Sequence, residues 1–156
     1  MRKIIFITIF SFLFTSYSIA EVIILKKCYA FERDGKKTGL YFNNLKMIKS
    51  EYSINTNTST VIFLNEFTEQ EHQKRLDDWK KSEYYKEFGG VGSQKITTAK
   101  YTIDHYDDQS IYASRSSDIG TTEVRVNIYT GEVFSEITFR KPYQVLTNIF
   151  KCEPPE

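Results

Sequence analysis

The chain of 156 residues carries 21 Lys and Arg against 20 Asp and Glu, with two His, two Cys and an aromatic content of 15%. A charge so near balance offers no basic surface for nucleic acid, and two histidines leave little material for metal or general acid–base chemistry. The length suits one domain that buries its own core.

Residues 1–20 read as a cleavable secretory signal peptide. Arg2 and Lys3 give a positive start, residues 4–14 are apolar apart from Thr8 and Ser11, and Ser18-Ile19-Ala20 places small residues where a signal peptidase cleaves. The apolar run is shorter than the roughly 20 residues that cross a bilayer. The expectation is an exported protein, periplasmic or secreted, with one domain over 21–152 and no membrane span after cleavage. Cleavage leaves 19 bases and 20 acids, a formal charge of −1.

The next segment, 22–31, reads as a strand, followed by the turn Arg33-Asp34-Gly35-Lys36 and a short strand over 39–42. Residues 45–54 alternate imperfectly through Ile48, Tyr52 and Ile54. After the turn Asn55-Thr56-Asn57-Thr58, the run Thr60-Val61-Ile62-Phe63-Leu64 is apolar on both faces, as a central strand is.

The texture changes at Thr68-Glu69-Gln70-Glu71, a capping-box pattern, and the charged run behind it lacks Gly and Pro. This predicts one helix over 69–88. His72, Leu76 and Trp79, continued by Tyr84 and Phe88, form a narrow stripe, with Trp79 expected to pin the helix to the sheet. Gly89-Gly90-Val91-Gly92 ends the helix.

Strand grammar then returns. Ala99, Tyr101 and Ile103 alternate with polar neighbours, and Ile111-Tyr112-Ala113 follows the turn Asp107-Asp108-Gln109-Ser110. Val124, Val126 and Ile128 oppose Glu123, Arg125 and Asn127, and Val133, Ser135, Ile137 and Phe139 form one face of the next strand. Between them Gly131 supplies the positive φ of a tight turn. Residues 95–139 thus read as a four-strand antiparallel meander, and 153–156 as a disordered tail. The predicted fold class is mostly β or α+β, an antiparallel meander sheet curled toward a barrel or half-barrel with one inserted helix.

The cysteines, Cys28 and Cys152, stand near the two ends of the exported segment. In an oxidising compartment such a pair is expected to form a disulfide, worth about 4–5 kcal/mol in the chain-entropy model for so long a loop. A metal site would need a second Cys or a His at ligand spacing, and neither Cys has one; a catalytic thiol is the other competing reading.

The sequence offers one polar cluster. Asp104-His105-Tyr106-Asp107-Asp108 gathers three carboxylates and an imidazole at one strand end, the chemistry of a cation site or of a hydrolase. The calcium-loop pattern is absent, and Asp beside Gln and Ser is also ordinary turn chemistry. His72 has no second His to complete a helical zinc motif, and the Gly89–Lys95 stretch has the wrong order for a nucleotide loop. Neither a catalytic residue nor a cofactor or metal is assigned. Tyr29, Tyr41, Tyr52, Tyr101, Tyr112 and Tyr129 all fall in predicted strands, where sheet propensity accounts for them as well as an aromatic ligand platform does.

The closing pattern Val126-Asn127-Ile128-Tyr129-Thr130-Gly131-Glu132-Val133, then Phe150-Lys151-Cys152-Glu153-Pro154, resembles the tail of small uncharacterised exported β-meander proteins of bacteria. A strand, a Thr-Gly turn, a strand and a terminal Cys recur in those chains, usually with a partner Cys just after the signal. The resemblance covers the last third of the chain plus Cys28; it implies a β-rich body with tied ends and brings no assigned activity or catalytic residues with it. The expected function is a non-catalytic exported binding or interaction protein for a small apolar ligand or an envelope protein, using the concave face of the curled sheet. The alternative is a hydrolase working through Asp104, His105, Asp107 and Asp108.

Overall fold

The computed structural model describes residues 22–90, 92 and 94–155; the predicted signal segment lies outside them. In chain order the elements are β1 (Val22–Arg33), β2 (Lys36–Lys37), a 3-10 turn (Phe42–Asn44), β3 (Met47–Asn55), β4 (Thr60–Phe67), α1 (Glu69–Lys81) and α2 (Glu83–Phe88). There follow β5 (Ile96–Tyr106), β6 (Ser110–Ser117), β7 (Gly120–Asn127), β8 (Glu132–Arg140) and β9 (Tyr143–Glu153). Strands β3 to β9 pair antiparallel in sequence order, and β1 joins both β3 and β9. The predicted curl therefore closes fully, into an eight-stranded up-and-down barrel with β2 as a two-residue hairpin partner at the end of β1.

Period-two alternation builds the interior. Leu25, Tyr52, Ile54, Val61, Tyr101, Ile111, Val124, Val126 and Val133 are buried together, while the residues between them face out. The β3–β4 and β7–β8 turns are set by Asx side chains standing in for backbone acceptors. Asn55 Oδ1 accepts from the Thr58 N–H at 3.0 Å, and Asn127 Oδ1 from those of Tyr129 and Thr130 at 3.1 and 3.0 Å.

The closing seam depends on one bend. Lys26 pairs with Glu51 of β3 and with Glu153 of β9. At Lys27 φ is +52° and the register with β9 shifts, after which β1 ladders with β9 and β2 alone. The expected disulfide joins Cys28 to Cys152 across this seam. Glu153, placed in the tail from sequence, extends β9 instead, and its carboxylate accepts from Lys27 Nζ at 2.6 Å.

Two other expectations need correction. The strand predicted over 39–42 is replaced by Lys36–Lys37 and the 3-10 turn. The single helix breaks at Ser82, whose Oγ donates to the Trp79 carbonyl at 2.6 Å and accepts from the Tyr85 N–H at 3.1 Å. One side chain thus ends α1 and caps α2, which a Gly/Pro criterion does not register. The Trp79 ring sits 6.2 Å from that of Tyr85, and a Cβ on Gly92 would come within 2.9 Å of Trp79 Cδ1. Trp79 thus touches α2 and stands close to the connector at Gly92. His72, Leu76 and Trp79 do share a half-buried stripe. The side chains of Tyr84 and Phe88 lie outside the described residues, as do Val91 and Ser93.

Candidate functional site

Where β1 bends away, the barrel wall parts. Ser50 and the residues before it in β3 ladder with β4 alone, because the β1–β3 pairing stops at Lys26 and Glu51. Residues 38–46 lie as a strap across this gap. The strap is tied to β1 by the Thr38 N–H to the Phe31 carbonyl at 2.9 Å and by Thr38 Oγ1 to the Ala30 carbonyl at 2.6 Å. Its far end is tied by the Thr68 N–H, which donates to the Lys46 carbonyl at 3.1 Å.

Under the strap is a cavity of ≈ 190 Å³ that reaches the barrel interior. Leu40 and Leu45 come from the strap, Met47, Phe63, Phe67 and Phe150 from the wall, and Ser50, Asn65 and Tyr29 are its neutral polar residues. Ser50 is only 3% exposed, and its hydroxyl donates to Asn65 Oδ1 at 2.6 Å. With Oδ1 occupied, the carboxamide presents its N–H donors. Below lies an aromatic floor, with the Tyr52 and Phe63 rings stacked at 4.5 Å and Phe150 5.8 Å from Phe63. Above, Arg75 of α1 holds its guanidinium 4.1 Å over the Phe67 ring and donates from Nε to Glu71 Oε1 at 3.1 Å.

The polar cluster read from sequence lies elsewhere, and the fold divides it. Asp104 and His105 line a hollow of ≈ 580 Å³ on the outside of β5–β8, with Tyr112, Glu123, Arg125, Phe134 and Glu136. The His105 ring stacks on its cross-strand neighbour Tyr112 at 4.2 Å, beside the bulge between Ile103 and His105. Asp107 does turn work: its Oδ1 accepts from the N–H groups of Gln109 and Ser110, both at 2.8 Å. Those two bonds favour its ionised form and hold its pKa below that of an ordinary aspartic acid, so its carboxylate is a weaker proton acceptor. Asp108 does not line the hollow.

The hollow is larger than the cavity but has mixed charge and lies on the outside of the barrel. The cavity is a cleft bordered by strap, wall and helix, the kind of setting in which a small ligand leaves water. Among the described residues, no group of three or more His, Cys, Asp and Glu could hold a metal ion. No described helix is long and apolar enough to cross a membrane. Sequence reading missed Ser50 and Asn65. The available signal was two polar residues in the register of Tyr52, Ile54, Val61 and Phe63. Comparison with protein-family models, with curated proteins and with solved structures finds no match.

Proposed function

We propose that this is an exported, non-catalytic binding protein whose small-molecule ligand occupies the cavity between β1 and β3. The carrying observation is the parted wall, a gap in an otherwise continuous barrel closed by a tethered strap over three phenylalanines and a hydrogen-bonded polar pair. A barrel built only for stability would continue the β1–β3 ladder along both strands and fill the space with side chains. The Cys28–Cys152 bond supports export, since disulfides persist in oxidising compartments. It also fixes the seam next to the gap.

Native mass spectrometry of protein purified from a periplasm tests this reading. The expected result is a mass lacking residues 1–20 with a small-molecule adduct, and loss of that adduct in Ala30→Leu, which fills the cavity from its β1 side. A bare mass together with no thermal shift from small aromatic compounds would overturn it.

A further inference from the structure

The electrostatics of the same cavity select a class of ligand. Its lining includes Arg33 at the exposed end of β1 and Arg75 on α1, whose guanidinium lies 4.1 Å over the Phe67 ring, and no carboxylate. Glu71 lies beside Arg75 but spends Oε1 on its Nε, leaving the terminal nitrogens as donors. Deeper in, the Asn65 carboxamide has given its oxygen to Ser50 and also presents donors. The polar side of the cavity is thus rich in N–H groups, with the charge of Arg75 partly countered by Glu71, while Phe63, Phe67, Phe150 and Met47 make the rest apolar. Guanidinium is the group best matched to a planar two-oxygen anion.

Size narrows the choice. A cavity of about 150 Å³ lined by apolar side chains accepts benzene, and this one measures ≈ 190 Å³. There is room for one compact ring or branched chain and one head group, and not for a long acyl chain. We propose that the occupant is a small monocarboxylate with an aromatic or branched-aliphatic body, the body against the phenylalanines and the carboxylate against Asn65 and Arg75. This rests on the cavity being the binding site, and the test separates the two claims.

Isothermal titration of the disulfide-bonded chain with benzoate, and with benzyl alcohol as its neutral counterpart, is the experiment. Benzoate is expected to bind at least about tenfold more tightly. Arg75→Gln is expected to remove most of that preference while leaving benzyl alcohol affinity unchanged. Equal affinity for the two compounds would overturn the carboxylate assignment and leave the cavity reading standing. Loss of both affinities in a folded Arg75→Gln protein would make Arg75 a structural residue and overturn its assigned role. Binding of neither compound would overturn both claims.

Discussion

Ser50 faces Asn65 directly across the β3–β4 ladder, and its hydroxyl donates to the Asn65 Oδ1 at 2.6 Å inside a wall whose other inward side chains are mainly apolar. A buried hydroxyl without its partner costs about 1–3 kcal/mol, whereas replacing both partners with apolar groups is nearly neutral. Asn65→Leu is therefore expected to destabilise by that amount, and Ser50→Ala with Asn65→Leu to recover most of it. Urea unfolding of the double-mutant cycle measures this. The double variant should fold well and lose benzoate, which separates the pair's binding role from its structural one.

The Cys28–Cys152 bond closes a loop with a sequence separation of 124 across the β1–β9 seam. Cys28→Ala with Cys152→Ala is expected to lower unfolding free energy by about 4–5 kcal/mol in the chain-entropy model. Comparing oxidised wild type with the variant in urea gives the value. Because the seam adjoins the gap, benzoate affinity should fall as well.

Gly131 has φ +68°, and a Cβ there would collide with the Cys152 carbonyl oxygen. The same residue's carbonyl accepts from the Cys152 N–H at 2.9 Å, so the β7–β8 turn is packed against the last strand. Gly131→Ala is expected to cost more than about 1 kcal/mol, combining a disfavoured backbone region with a clash. A fall in thermal midpoint larger than that of an exposed control, Thr130→Ala, checks it.

Tyr52 is 1% exposed, and burial holds its phenol well above its ordinary pKa of 10.0. Tyr101 is displaced in the same direction by burial, opposed by the guanidinium of Arg115. In the unfolded chain both ionise near the ordinary value, so the unfolded state loses protons first as pH rises. Stability is therefore fully present below about pH 10 and lost above it. Tyr52→Phe removes the larger of these effects and should move the alkaline unfolding midpoint upward, which circular dichroism across a pH series reports.

Much of the barrel was legible because strands declare themselves locally. The alternation of Val124, Val126 and Ile128 and the Asn127–Gly131 turn are properties of adjacent residues, and the structure places them as expected. The helix break was not legible, since Ser82 acts through two bonds to residues on either side of it and not through a Gly or Pro signal. Asp104, His105, Asp107 and Asp108 look like one site because they are neighbours in sequence. A bulge and a turn give them separate tasks. The cavity was hidden for the opposite reason: Ala30, Ser50, Asn65, Arg75 and Phe150 are remote in sequence and meet only once the barrel closes.

The most direct test of the binding site is a two-dimensional amide NMR titration of the uniformly labelled, disulfide-bonded protein with benzoate. Saturable shifts confined to residues around the parted wall, Ala30, Leu45, Ser50, Asn65 and Phe67, are the expected result. Shifts centred on His105, Tyr112 and Phe134 of the outer hollow, or none at all, would contradict it.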